Sequence, residues 1–469
     1  MEKKRLLFIP YTFTNGGGAE KVLQLLVNNL SQDQFEITIQ EVEQFNKFLD
    51  INENVKLHYA FLNQNFPGKL FNELNYILLV YFPTLLKFIF GLSGFNAVIS
   101  FNYQLPSFML PGFKSEKKIA WFHGDLYDLQ ELSKEWEKNK QQKVWKNANR
   151  IVTISNKSKK SLDDIFPDFS DKLQIIHNGT DTQKIIEQSK EEIDLSIDNI
   201  PYIVCVGRLD ENKNFILAIQ ALAELKKQNI DCALVLVGEG NQHETLSKEA
   251  EKLDVLDKVF FAGFQTNPYK YIARSKLLCV TSFSEGWPTV VMESMALGKP
   301  FVTTPVSGAS EELAAGGNCG LVAGYDEKEY AEAVKKLLKN NDLYNQMSLN
   351  CTENVKQYSA EKYAENFTNL LNELGVHNIE GDKKTPKIKL LLSYVVYFLL
   401  YIISFGEILF RLQIITKRIK GKRLFKVIKN IIYLFGLIIL WPVMFVVKIF
   451  IFPFYINKII KENGGKKCR

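Results

Sequence analysis

Two carboxylates and the spacing between them carry the first chemical signal in this chain. Glu285 and Glu293 lie in Ser284–Thr303, SEGWPTVVMESMALGKPFVT. Pro288 suits the first turn of a helix, and Gly298 suits the residue just past its end. Glu285 is then expected in the loop entering the helix, and Glu293 inside it, near the positive N-terminal end. That end exposes unpaired N–H groups that can hold a phosphate. Two acceptor-only carboxylates beside such a site suit a ligand bearing both hydroxyls and phosphate, such as a nucleotide-sugar. The spacing alone also fits an ordinary solvated helix, so the surrounding residues must decide.

Two cations stand earlier in the chain, in Gly207-Arg208-Leu209-Asp210-Glu211-Asn212-Lys213-Asn214. Arg208 falls on the loop after a strand and Lys213 at the start of a helix. Two cations so placed can clamp a diphosphate and neutralise charge on a leaving nucleotide. Trp121-Phe122-His123-Gly124-Asp125 follows another strand. A histidine there lies where open α/β sheets bind ligands. Asp125 and Glu20 are candidates for orienting or deprotonating an acceptor hydroxyl. Gly16, Gly17 and Gly18, between the first strand and helix, let the backbone approach a phosphate or sugar; a plain turn is the competing reading.

These residues need strands and helices to hold them, and the sequence supplies both in alternation. Strand-like runs are Leu6–Pro10, Phe35–Val42, Ala97–Ser100, Lys118–Trp121 and Arg150–Ile154, then Tyr202–Val206, Leu234–Val237, Val259–Ala262 and Leu277–Val280. Helical patterns separate them, which predicts parallel sheets covered on both faces. Gly238, Gly263 and Phe264 fall on loops expected to line a nucleotide crevice, with Phe264 beside the base. Asn75–Leu92 is very apolar, with Pro83 in its middle and Lys87 its one charge; it is expected as a buried or interfacial helix rather than a spanning one.

At 469 residues the chain is long enough for two or more domains. The six cysteines are scattered with no C-x-x-C pair, which argues against a disulfide framework or a zinc site and fits a reducing cytosol. The start, MEKKRLLFIP, holds too short an apolar run for a signal peptide and is expected as the first strand. No D-x-D stands at a strand end to hold a divalent ion, and neither metal nor cofactor is expected. The net charge of +6 conceals an asymmetry: Lys383 to Arg469 carries 18 Lys and Arg against 2 Asp and Glu, leaving the rest of the chain at −10. Within this basic tail lie Ile388 to Phe410, 23 residues, and Ile431 to Val447, 17 residues. As helices they would be about 35 and 26 Å long. Basic clusters flank both on every side, so two spanning helices would strand the most basic loop outside. The expectation is a hairpin that dips into or lies on an anionic cytoplasmic leaflet, with spanning the alternative. Nucleic acid is not expected as a partner, because the tail's cations alternate with apolar runs.

Taken together, the motifs resemble the large retaining glycosyltransferase family 4, of GT-B fold. Gly17-Gly18-Ala19-Glu20 is similar to its GG-x-E loop and His123-Gly124 to its HG motif. Ser155 matches its serine step, and His177-Asn178-Gly179-Thr180-Asp181 its P-N-G-V-D with His for Pro and Thr for Val. Gly207 to Asn214 resembles its G-R-L-x-x-x-K-N, and Glu285 to Glu293 its paired glutamates, with Trp287 where many members have Phe. The resemblance runs from Lys4 to Asn372 and leaves the tail uncovered. It implies sugar transfer from a nucleotide-sugar, UDP-linked by expectation, with retention of configuration, by front-face attack or through a covalent intermediate. It further implies that Arg208 and Lys213 hold the donor phosphates, Glu285 the sugar hydroxyls and Glu293 the ribose, that His123 lies near the reacting carbon, that Gly286 belongs to the donor site, and that backbone N–H groups of Trp287, Thr289 and Val290 contact phosphate or sugar.

The expected architecture is α/β: two Rossmann-like domains facing a cleft, plus a helical membrane-associated tail. The expected bounds are 1–181 for an acceptor domain, 182–200 for a linker, and 201–358 for a nucleotide-sugar domain. A helix over 359–376 crosses back to the first domain, a linker covers 377–387, and the tail covers 388–469. A lipid-linked acceptor at the cytoplasmic face of a bacterial membrane fits the tail. A glycolipid acceptor, a sugar-nucleotide epimerase and a binding protein without turnover are the alternatives.

Overall fold

The computed structural model describes residues 3–376, apart from 14–17, 45–50, 53–54, 59, 64–68, 115, 128–134, 194–199 and 307–308. The expectations for Gly16, Gly17 and the tail therefore lie outside the described residues.

The first half supplies β1 (Lys4–Ile9), β2 (Phe35–Gln40), β3 (Glu43–Gln44), β4 (Val55–His58), β5 (Leu62–Asn63), β6 (Ala97–Ser100), β7 (Lys117–Phe122), β8 (Arg150–Thr153) and β9 (Leu173–Ile175). The second supplies β10 (Tyr202–Val206), β11 (Ala233–Val237), β12 (Val259–Gly263), β13 (Leu277–Val280), β14 (Phe301–Thr303) and β15 (Gly320–Val322). They form a sheet of order β4-β2-β1-β6-β7-β8-β9 and a second of order β12-β11-β10-β13-β14-β15, with β3 and β5 paired apart. Neighbouring strands are parallel in both sheets. Parallel strands need crossover helices, and those helices cover both faces, so the inner strands are largely apolar. β11, ALVLV, is buried at every position. The helix Gly18–Asn29 turns Val22, Leu23, Leu26 and Val27 inward, the spacing of one helical face.

Both sheets reverse their winding after the first strand, between β1 and β6 and between β10 and β13. Such reversals open a crevice at the carboxyl ends of the strands, where doubly wound folds bind ligands. The helix Ala360–Glu373 carries the chain back to the first half. Its Phe367 ring lies 5.7 Å from Phe8 and 5.6 Å from Trp121, and Lys4 Nζ donates to Asn372 Oδ1 at 3.2 Å.

Two segments differ from their sequence reading. The stretch expected as linker opens with a helix, Thr182–Gln188, because Asp181 Oδ1 caps it by accepting from Lys184 N at 3.0 Å. The apolar run 75–92 is two helices, Lys69–Tyr81 and Pro83–Ile89, since Pro83 cannot continue the first. Among the described residues no helix is long and apolar enough to cross a membrane.

Candidate active site

The loops after β10 and β13 meet at the second reversal point. Asp210 Oδ1 accepts from Lys213 N at 3.1 Å and holds a single turn over Glu211–Lys213. Asn214 follows in the left-handed region at φ 48°, a conformation asparagine tolerates better than most residues, and the next helix starts at Phe215. Three bonds tie this turn to the glutamate loop. Phe283 N donates to Asn212 O at 2.8 Å, Asn212 Nδ2 to Ser284 O at 2.9 Å, and Thr281 Oγ1 to Lys213 O at 2.8 Å. Lys213 Nζ thereby stands 2.5 Å from Glu285 Oε1, which also accepts from Ser282 Oγ at 2.8 Å. Arg208 reaches Asp210 Oδ2 at 3.2 Å, yet 85% of its side chain is exposed. Gly238 lets the loop after β11 close on this one: a β-carbon there would stand 1.8 Å from Gly207 O. Gly263 takes φ 66° and Phe264 projects beside it, 67% exposed.

The helix Thr289–Ala296 starts one residue later than Pro288 suggests, with Pro288 as its N-cap and Gly298 past its end at φ 63°. Thr289 is half-buried at its first position. Val291, Met292 and Met295 enter the core. Glu293 points the other way, and burial pushes its carboxyl up from an ordinary 4.5 to about 7 against a small opposing pull from Lys21. Lys21 belongs to the first half, so Glu293 faces across the cleft. It accepts no hydrogen bond from the described residues, while Tyr269 beside it is pushed up by burial and by the Glu293 charge.

Across the cleft, at the first reversal point, Tyr11, Thr12, Glu20, Asn102, Gln104 and His123 line a cavity of about 270 Å3. Burial holds the His123 ring neutral, with its pKa down to about 3. Its Nε2 is shut off from solvent with no hydrogen-bond partner. The ring stacks on Trp121 at 5.7 Å and lies 4.4 Å from Phe101. Glu20 is buried at this cavity. Asp125 is buried too; its Oδ1 accepts from Tyr127 N at 2.9 Å, and its Oδ2 lies 3.4 Å from Lys157 Nζ without a hydrogen bond. These contacts hold the loop after β7.

The two halves touch at the site itself. Gly286 lies so close to the His123 backbone that an added β-carbon would stand 2.6 Å from its carbonyl oxygen. Trp287 is buried and stacks on His177 at 4.8 Å, with Tyr358 at 5.6 Å. His177 Nδ1 bonds Ile154 O at 2.9 Å, and its Nε2 is 3.7 Å from Glu312 Oε2. Glu312 Oε1 accepts from Asn156 N at 2.5 Å, at the start of a first-half helix capped by Ser155 Oγ on Ser158 N. Sequence reasoning passed over Thr12, Asn102, Tyr269 and Glu312. They sit on strand-end loops or helix faces with no motif of their own, and only the position of strand ends in the sheet order could have marked Thr12 and Asn102. A wider groove of about 940 Å3, lined by Val322, Lys336 and Asn340, lies at the outer edge strand β15 of the second sheet.

Two doubly wound parallel sheets, linked by a returning helix and carrying ionic groups at both reversal points, define a GT-B protein. The family profile described as Glycosyltransferase Family 4 matches residues 16–184, and that of Glycosyl transferases group 1 matches 187–371. The chain belongs to this glycosyltransferase family. It is 34% identical over 190 residues to a Campylobacter jejuni N-acetylgalactosamine-N,N'-diacetylbacillosaminyl-diphospho-undecaprenol 4-alpha-N-acetylgalactosaminyltransferase, covering 40% of this chain and 50% of the relative. It is 28% identical over 200 residues to a lipopolysaccharide core biosynthesis glycosyltransferase of Rhizobium meliloti, covering 42% and 57%. The matched region thus spans about half the length of these curated relatives. Among solved structures, Anabaena HepE in complex with UDP superposes with a TM-score of 0.63 at 17% identity, over 79% of this chain and 100% of that one. Sucrose-phosphate synthase from Thermosynechococcus elongatus superposes at 0.65 and 18% identity, over 80% and 99%. At these identities the likeness is one of fold.

Proposed function

We propose that this chain is a retaining glycosyltransferase that moves a sugar from a UDP-sugar to a lipid-linked acceptor of surface-polysaccharide synthesis, at the cytoplasmic face of the membrane and without a metal ion. The Lys213–Glu285 pair at the second reversal point carries the reading. A donor diphosphate entering there meets Arg208 and draws Lys213 from Glu285, freeing the carboxylate to take the hydroxyls of the donor sugar. The two cations then stabilise the diphosphate as it leaves, the role a divalent ion fills elsewhere. Glu293, with its unfilled acceptor positions, suits the ribose diol. The His123 cavity suits an acceptor hydroxyl at the reacting carbon, with the neutral His123 ring in its wall and Glu20 beside it. Asp125, with one oxygen held by Tyr127 N and the other near Lys157 without a hydrogen bond, stays beside Glu20 as a candidate for orienting the acceptor hydroxyl. The names of the Campylobacter and Rhizobium relatives favour a lipid-linked saccharide as acceptor, and UDP in the Anabaena structure favours a uridine donor. The basic tail supplies attraction to anionic lipid.

The test is a donor screen with full-length protein in native membranes, following nucleoside diphosphate release from UDP-, GDP- and ADP-sugars with and without extracted lipid. Release from one donor only when lipid is present is the expected result. Conversion of the donor without lipid would replace this reading by an epimerase or hydrolase. Release with no donor would leave a binding protein.

A further inference from the structure

One face of the first half is apolar and takes no part in the transfer chemistry. Of the sixteen large apolar side chains exposed among the described residues, six fall between positions 76 and 88: Tyr76, Ile77, Tyr81, Phe82, Leu85 and Phe88. The other sides of the same two helices bury Leu79, Val80, Leu86 and Ile89 in the core. The fold therefore needs one face only. Single exposed apolar residues are ordinary, but a run of aromatic and aliphatic side chains on two consecutive helices marks a surface that something covers. From 76 to 88 the sequence holds one ionic group, Lys87, and Glu116 neutralises it at 2.7 Å.

Cations rim this face. Lys140, on the helix Glu135–Asn147, holds its Nζ 4.4 Å from the centre of the Tyr81 ring and 4.7 Å from that of Phe108. Lys143, one turn further on, is exposed. Aromatic and aliphatic groups edged by lysines match the boundary between acyl chains and anionic headgroups. The helices, 13 and 7 residues long, are too short to span a bilayer but can lie along one. The face also adjoins the acceptor cavity. Phe108, under Lys140, donates its N–H to Gln104 O at 3.0 Å, and Gln104 lines the cavity with His123.

We propose that this face is an interfacial docking surface for an anionic lipid bilayer, placed so that an acceptor whose lipid stays in the membrane presents its polar head to the His123 cavity. The proposal deepens the lipid-acceptor reading and rests on it for its purpose. The membrane contact is a separate fact, tested without turnover.

The full chain, with Cys468 replaced by serine, receives a polarity-sensitive fluorophore at Leu85→Cys, and in a second variant at Phe88→Cys. The remaining cysteines are buried. Leu349→Cys, at a more exposed position on the second half, is the control. With vesicles of phosphatidylglycerol and phosphatidylcholine, the labels at 85 and 88 are expected to shift to the blue and to be quenched by spin-labelled acyl chains, and the label at 349 to do neither. Lys143→Gln is expected to weaken this docking roughly fivefold, the weight of one cation near an anionic surface. Labels at 85 and 88 that stay in water while the protein sediments with vesicles would overturn the proposal, whatever the transferase assay shows. So would a label shielded before vesicles are added, which gives the face to this chain's own tail. Shielding that grows with protein concentration alone gives it to a second copy and overturns the proposal equally. A transferase that fails the donor screen yet passes this test would instead lose only its proposed reaction.

Discussion

Gly286 and His123 are in backbone contact across the cleft: a β-carbon at 286 would stand 2.6 Å from His123 O. Gly286 follows Glu285 directly, and His123 lines the cavity at the first reversal point. This contact therefore fixes the distance between the Glu285 loop and that cavity. A methyl group there meets a backbone carbonyl, which cannot rotate away. Gly286→Ala should lower turnover by about a hundredfold, the loss expected when reacting groups are displaced by about 1 Å. UDP affinity, measured by titration calorimetry, should change little, because Lys213 and Glu293 keep their places in the second half.

Glu293 should make nucleotide binding depend on pH. Its folded pKa, about 7, lies above its ordinary 4.5, so the folded chain keeps this proton through that interval. The stability associated with it is present at low pH and lost as pH rises from 4.5 through 7, amounting to about 3 kcal/mol when fully ionised. Glu293→Gln should thus stabilise the nucleotide-free protein at pH 8 and leave it unchanged at pH 4.5, as urea unfolding would show. A ribose diol donates to the ionised form, so UDP binding at pH 6 should release a proton. Calorimetry in two buffers of different ionisation heat would detect the release, and Glu293→Gln should abolish it.

The pairing of Lys213 with Glu285 makes their effects non-additive. Both side chains are largely buried, at 21% and 16% exposure. Lys213→Met removes a cation from the leaving diphosphate and should cost a hundred- to a thousandfold in kcat. It also leaves Glu285 without its ion partner. Adding Glu285→Gln should then cost less than it does alone, a coupling measured by a double-mutant cycle.

Glu312 bridges the halves through Asn156 N and His177, and burial raises its carboxyl pKa, with the Asn156 N–H pulling it down. Glu312→Ala removes a charge-assisted bond at a helix start, worth about 1.5–3 kcal/mol. The closed arrangement should loosen. Scattering in solution should show a larger radius of gyration, and donor KM should rise more than kcat falls.

His123 should add no limb to the pH–rate profile between pH 5 and 9. Burial keeps it neutral with a pKa of about 3. An acid limb that moves in His123→Gln would contradict this assignment.

Much of this was legible in the residues themselves. A parallel sheet buried on both faces requires unbroken apolar strands, and glycines mark where loops must close, so β10, β11 and Gly238 could be read before any coordinates. Arg208, Lys213, Glu285 and Glu293 stood out in the sequence as ionic groups beside expected strand ends and a helix start, though spacing alone also fitted a solvated helix. Spacing could not show what each group faces. The 2.5 Å pairing of Lys213 with Glu285 joins residues 72 positions apart, and Glu312 reaches Asn156 over 156. Pro83 could be seen to interrupt 75–92, but which side of each helix stayed exposed depended on what packed beneath. Asp125 reads as an acid in the sequence, and the fold adds that one oxygen accepts from Tyr127 N while the other lies near Lys157 Nζ without a hydrogen bond. The sequence by itself determined the elements and the residue types available at the strand ends, because strand burial and helix starts are local demands on residue type. Tertiary structure alone decided which charges are already paired, how close the two halves come, and which apolar face remains uncovered, because those are properties of distance between parts of the chain that no local pattern records.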